Sequence, residues 1–192
     1  MQACRLSADA IACRRGDRIL FRGVSLALGA GEALRVTGPN GTGKSSLIRI
    51  LAGLMEPFSG TLARVGEAGL VDERPALDPH LPLDQALAFW ERFDGHKADA
   101  VERLGLGPLG EVPVRFLSTG QKKRAALARL MAQDCPIWLL DEPLNGLDVD
   151  AVALVERIVA EHCAGGGLAV VASHQPMVLP GDRAIHLPEF AA

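Results

Sequence analysis

The eight residues Gly38-Pro39-Asn40-Gly41-Thr42-Gly43-Lys44-Ser45 constrain this chain more than any other stretch. They satisfy the phosphate-binding pattern G-x-x-x-x-G-K-[ST], and their flanks suit it. Before them, residues 32–37 form a short apolar run of the kind found in buried strands. After them, residues 46–54 set apolar side chains at helical spacing. A strand, a glycine-rich turn and a helix in that order aim successive backbone N–H groups, and the positive end of the helix dipole, at phosphate oxygens. Gly38, Gly41 and Gly43 permit the tight turn, and the expected binding set runs from Gly38 through Ser46. Lys44 is expected to reach the β- and γ-phosphates and the Ser45 hydroxyl to hold Mg²⁺. The ligand class that follows is a nucleoside triphosphate with its magnesium ion.

Bulk properties narrow the setting. At 192 residues and 48% hydrophobic content the chain suits one globular domain, and a net charge of −3 gives no electrostatic footprint for nucleic acid. The basic run Lys122-Lys123-Arg124 is short and fits a solvated helix face. Cys4, Cys13, Cys135 and Cys163 lack C-x-x-C spacing, which suits reduced thiols better than disulfides or a metal centre. No run approaches the ~18 apolar residues of a membrane span, and the N-terminus lacks the apolar core of a secretory leader. Any membrane connection is therefore expected to run through a partner.

Along the chain, residues 1–37 suggest strands joined by tight turns, best seen in the runs 17–21 and 24–28, with further strands at 61–65 and 69–71. Residues 82–133 carry helical periodicity broken by a Gly/Pro-rich connector at 105–110. Ile137 to Leu140 and Leu168 to Ala172 are short apolar runs suited to buried parallel strands, with an amphipathic helix from Asp148 to Ala164 between them. Strands alternating with helices after a phosphate loop predict a doubly wound α/β core. An antiparallel N-terminal portion and a helical insertion at about 73–133 complete the expected single domain of residues 1–192.

Three further segments supply chemistry. The run Ile137-Trp138-Leu139-Leu140-Asp141-Glu142 is an apolar strand ending in two acids. Asp141 leaves the sheet where it can hold Mg²⁺, and Glu142 is placed to act as general base toward the attacking water. His174 follows the next apolar run directly and can contact the γ-phosphate and position that water. Ser118 is a good helix cap, and Leu117-Ser118-Thr119-Gly120-Gln121 brings a hydroxyl, a glycine and free N–H groups to one helix end, an anion site.

In that order these motifs resemble the ATP-binding-cassette (ABC) ATPases over essentially the whole chain: GPNGTGKS at 38–45, LSTGQ at 117–121, WLLDEP at 138–143, the segment 145–148 ending in Asp148, and His174. The resemblance implies ATP as the nucleotide. It also implies a head-to-tail homodimer in the ATP-bound state, with Ser118, Gly120, Gln121 and Asp148 serving the nucleotide held by the partner copy. Within the family, residues 20–54, 86–90, 112–130 and 166–176 are similar to the ATPase subunits of haem-handling cytochrome c biogenesis (Ccm) systems. That likeness implies integral membrane partners of the CcmB, CcmC and CcmD kind and, indirectly, a CcmE-like haem chaperone. It further implies a peripheral place on the cytoplasmic side of the bacterial inner membrane.

Departures from the family pattern also carry expectations. Where most cassettes have a glutamine after the strand near 69–72, this chain has Asp72 and Glu73, carboxylates that can meet Mg²⁺ but repel a γ-phosphate. No aromatic residue stands near 13–16 to stack on adenine, which leaves Arg15 as a stacking candidate or a solvated turn residue. Phe89, Trp90 and Phe93 cluster within five positions and suit either packing of the helical portion or a groove for a partner helix. A soluble cassette ATPase and a nucleotide-binding regulatory module stand as the competing functions. The first usually carries a second cassette, coiled coils or basic extensions, none of which this sequence contains.

Overall fold

The computed structural model describes residues 4–94 and 98–191. Two sheets organise it. Strands β1 (Arg5–Arg15), β2 (Arg18–Gly29) and β4 (Ser59–Val65) form an antiparallel sheet in the order β2-β1-β4. Strands β3 (Ala33–Thr37), β5 (Ala68–Val71), β6 (Ile137–Asp141), β7 (Leu168–Ala172) and β8 (Arg183–His186) form a second sheet in the order β5-β6-β7-β3-β8. Its neighbouring strands are all parallel.

The parallel sheet is buried on both faces, which is why its central strands are apolar without alternation. Side-chain alternation still divides its residues between two cores. Leu34, Val36, Ile137, Leu139, Leu168, Val170 and Ala172 face the antiparallel sheet and helix α1 (Lys44–Leu51). Ala33, Val71, Trp138, Leu140, Ala169 and Val171 face the other way, toward helices α2 (Leu83–Asp94), α3 (Ala98–Arg103), α4 (Thr119–Ala132) and α5 (Val149–Ala164). The helical stretch thus shares one continuous core with a face of the sheet. Residues 95–97 of that stretch lie outside the described residues.

Two local expectations are corrected, and one strand, β8, has no counterpart in the sequence reading. The runs 17–21 and 24–28 belong, apart from the turn residue Asp17, to one strand, β2, because Arg22-Gly23 is a bulge: pairing with β1 steps from Cys13↔Phe21 to Ile11↔Val24, and Gly23 has φ 76°. Strand β8 carries no alternating signal, since it is an exposed edge held only by β3. The run 122–124 is not a solvated face. Lys123 is buried on the same helix stripe as Leu127 and Leu130, Arg124 donates to the Leu104 carbonyl at 2.8 Å, and Lys122 donates to the Arg115 carbonyl at 3.2 Å.

The aromatic cluster on α2 divides in two. Trp90 packs against the helical core, donates its indole N–H to the Ala76 carbonyl and carries the Arg129 guanidinium 3.5 Å above its ring centre. Phe89 and Phe93 remain exposed beside it. Among the described residues no helix is long and apolar enough to cross a membrane.

Candidate functional site

Parallel strands deliver their following loops to one edge of the sheet, and here four adjacent strands do so in register. The segment 38–43 follows β3, Ser173-His174 follows β7, Glu142 follows β6 and Asp72 follows β5. Ligands of open α/β sheets gather at that carboxyl edge. The topology alone therefore brings together four stretches that lie far apart in sequence.

The glycine loop turns as its composition requires. Gly41 and Gly43 have φ 84° and 104°, conformations open to glycine and strained for other residues, and Gly43 caps the start of α1. Thr42 closes the turn by donating its hydroxyl to the Pro39 carbonyl at 2.9 Å. Lys44, buried at 5% exposure, folds back so that its ammonium donates to the Gly38 carbonyl at 2.8 Å and the Pro39 carbonyl at 3.3 Å. Ser45 is exposed at the helix start and Ser46 half-buried beside it.

Glu142 joins three of the elements. Its Oε1 lies 3.2 Å from Lys44 Nζ, an ion pair that includes no directional hydrogen bond, since the same Oε1 has no hydrogen-bond partner. Its Oε2 lies 2.8 Å from His174 Nδ1, which donates when that nitrogen carries the proton. The His174 backbone N–H points to the same oxygen at 3.4 Å. The Glu142 backbone sits at φ 49°, the left-handed region that a non-glycine residue enters only when its surroundings hold it there. A base candidate is thus held between the Lys44 ammonium, the His174 imidazole and a strained backbone.

Asp141 is 3% exposed, and its Oδ1 has no hydrogen-bond partner among the described residues. Burial pushes its carboxyl above the ordinary aspartate range. The hydrogen bond from Ser45 pulls it down, the Glu142 charge raises it and the Lys123 charge lowers it. An orphaned, desolvated carboxylate oxygen beside a serine hydroxyl is a fitting donor set for a hard divalent cation. Among the described residues no three His, Cys, Asp or Glu side chains converge to hold a metal alone. A cation held by Ser45, Asp141, water and substrate phosphates needs no such cluster.

A cleft of about 270 Å³ opens beside this pair, lined among others by Arg15, Ser45, Ser46, Asp72, Glu73 and Asp141. Asp72 does not present a bare charge to it. Its Oδ2 lies 3.6 Å from Arg49, and its Oδ1 accepts the Arg74 backbone N–H at 2.8 Å. The repulsion expected between this carboxylate and a phosphate is correspondingly reduced. Arg15 ends β1 at the same cleft, its guanidinium 3.7 Å from the Met55 sulfur.

The 117–121 segment forms a capping box. The Ser118 hydroxyl accepts the Gln121 N–H at 3.2 Å, and the Gln121 side-chain oxygen accepts the Ser118 N–H at 2.8 Å. Gly120 is required by a close approach, because a Cβ there would stand 2.6 Å from the Gly146 carbonyl oxygen. That contact locks the helix tip against the turn leading to Asp148, which caps α5 by accepting the Ala151 N–H at 2.8 Å. The structure thus unites Lys44, Ser45, Asp141, Glu142 and His174 in one cluster, and joins Ser118, Gly120 and Gln121 to the 145–148 turn in a second. The residue that sequence reasoning missed is Lys123. Its spacing of four to Leu127 and seven to Leu130 was the available signal for burial.

Comparison with known proteins agrees with this arrangement. Residues 21–145 match the ABC transporter family. Over 190 residues, 99% of both chains, the sequence is 57% identical to "Cytochrome c biogenesis ATP-binding export protein CcmA" of Novosphingobium aromaticivorans. It is 51% identical over 179 residues to the protein of the same description from Sphingopyxis alaskensis, covering 91% of this chain and 92% of that one. Among solved structures, a putative ABC transporter ATP-binding protein from Pyrococcus furiosus superposes with a TM-score of 0.84, covering 98% of this chain and all of that one at 19% identity.

Proposed function

The chain belongs to the ABC transporter family, and on that premise we propose that it is the ATP-hydrolysing subunit of a cytochrome c biogenesis export system. The observation that carries the chemistry is the Glu142 carboxylate held between Lys44 Nζ at 3.2 Å and His174 Nδ1 at 2.8 Å, at the edge where the phosphate loop opens. In this reading, the loop of residues 38–46, through its backbone N–H groups (Pro39 has none), and the Lys44 ammonium bind the triphosphate. Glu142 accepts the proton of the attacking water, and His174 orients that carboxylate and the water. Ser45 and Asp141 would hold Mg²⁺, which supplies charge neutralisation on the phosphate oxygens. Arg15 is the proposed adenine contact, through its planar guanidinium.

Two copies act together. Ser118, Gly120, Gln121 and Asp148 of one copy close over the triphosphate held by the other, and closure moves the membrane partners. Residues 73–133 form the helical subdomain of a single cassette domain spanning 1–192. The high identity to the CcmA relatives across nearly the full length supports partners of the CcmB, CcmC and CcmD kind and, through them, a CcmE-like haem chaperone. It also supports a peripheral position on the cytoplasmic face of the bacterial inner membrane.

Phosphate release by the wild type and by Glu142→Gln, each with co-expressed membrane partners, tests the chemistry. A loss of about 100-fold or more in the variant is expected of an essential general base. Equal turnover in the two proteins overturns it. Retention of Ccm-type membrane proteins on the tagged chain in mild detergent tests the physiological assignment, and retention of an unrelated permease instead overturns that assignment alone.

A further inference from the structure

Lys123 does something that the family resemblance does not assign. It is 8% exposed, and its ammonium donates to the backbone carbonyls of Asp72 at 3.2 Å and Asp141 at 3.4 Å. One side chain from α4 therefore clasps the first residue after β5 and the last residue of β6.

The Asp141 carbonyl belongs to the peptide that joins Asp141 to Glu142. The N–H at the other end of that peptide donates to the Ala172 carbonyl at 2.8 Å. A peptide unit is planar, so tying down its C=O and its N–H fixes the orientation of the whole plane. With that plane fixed, the next rotatable bond is φ of Glu142, held at 49° in the left-handed region. Release of either tie would let the residue relax toward negative φ, since the strained conformation costs about 1–3 kcal/mol. Relaxation would swing the side chain away from Lys44 and His174.

We propose that Lys123 is a positioning residue for ATP hydrolysis: by holding the Asp141–Glu142 peptide plane it keeps the Glu142 carboxylate aimed, and by clasping Asp72 it ties that aim to helix α4. This rests on the reading of Glu142 as the base. Because α4 begins at the capping box of Ser118 and Gln121, one rigid helix links the carboxylate of this copy's site to the helix tip offered to the partner copy's site.

A double-mutant cycle on the full chain, with its membrane partners where turnover requires them, tests the proposal. Lys123→Met is expected to lower kcat by about 10- to 100-fold, the range for misplacing a reacting group by about an ångström, with KM for ATP within about twofold. In the Glu142→Gln background, read by single turnover, the same substitution is expected to change the rate less than about twofold, because the proposal routes its effect on the chemical step through that carboxylate. Losses that multiply across the two sites, or wild-type kcat in Lys123→Met, would overturn the proposal. If Lys123→Met fails to fold, Lys123→Gln carries the same cycle, its folded fraction fixed by thermal melting. Equal turnover in wild type and Glu142→Gln would sink the base assignment itself, an outcome distinct from either of the others.

Discussion

Removing the Glu142 charge should weaken the empty protein and tighten its grip on nucleotide at the same time. Lys44 is buried with its ammonium 3.2 Å from the Glu142 carboxylate, a negative charge that phosphates are proposed to replace. Two unit charges at 3.2 Å attract by about 5 kcal/mol at an effective dielectric near 20. Desolvation of both ions offsets much of that attraction. Stranding one partner of a buried pair nevertheless costs about 3–5 kcal/mol. Glutamine at position 142 keeps an acceptor oxygen, and the Gly38 and Pro39 carbonyls still solvate the ammonium, so about 2 kcal/mol is the expected loss of stability. ATP binding to the wild type must break this pair and bring phosphate toward a carboxylate, and binding to Glu142→Gln does neither. The same ~2 kcal/mol then appears as affinity roughly 30-fold tighter. Thermal melting of the empty proteins and ATP titration in the presence of a chelator, which prevents turnover, measure the two halves. An unchanged melting temperature together with equal or weaker ATP binding in Glu142→Gln would refute the reasoning.

Further outcomes follow from other residues. Asp141→Asn should stabilise the empty protein at neutral pH. A carboxyl whose folded pKa is raised makes the native state bind more protons than the unfolded one, so its stability contribution falls as pH rises from the unfolded value of about 3.9 through the raised folded value. The stability difference between Asp141→Asn and wild type should therefore vanish below about pH 4, as read by melting across a pH series, and the variant should lose the additional stabilisation that Mg²⁺ gives with ATP. Trp90→Ala should cost about 2–4 kcal/mol in denaturant unfolding, because it removes a packed ring, its bond to Ala76 and its contact with Arg129. The exposed pair gives a contrast: Phe93→Ala should leave stability within about 0.5 kcal/mol. All four cysteines are buried and unbridged, and burial pushes Cys135 and Cys163 up to about 11. A thiol-reactive dye at pH 8 should label those two negligibly in the native protein and all four after unfolding.

What is legible in the sequence is set by chemistry that tolerates few substitutes. The 38–45 loop, Asp141 and Glu142 at the end of β6 and the histidine after β7 stand out in the sequence because the phosphate cradle, cation ligand and base proposed for them each need particular groups at particular strand ends. The sheet order follows less directly. Nothing local to β3 or β6 says that β7 lies between them, and only the assembled sheet puts Lys44, Glu142 and His174 within bonding distance. Strand β8 and the Arg22-Gly23 bulge were hidden because an exposed edge strand has no apolar alternation and a bulge resembles a turn. Lys123 was misjudged for a different reason: its charge suggested solvent, whereas its place on the stripe with Leu127 pointed inward. In that conflict helical spacing outranked residue type, because two carbonyl acceptors were available to solvate the ammonium.

Complementation between two inactive chains tests the composite site most directly. Lys44→Ala removes the cradle's cation, and Ser118→Arg blocks the helix tip that would close over the partner copy's triphosphate. Each alone should be inactive. Mixed in equal amounts, random pairing makes half the dimers mixed, each with one intact composite site, so turnover should recover to about a quarter of wild type. A chain carrying both substitutions, mixed with either single variant, should recover none. If the two single variants stay inactive when mixed, or if wild-type turnover per molecule is independent of protein concentration down to the monomeric range, the two-copy site is wrong.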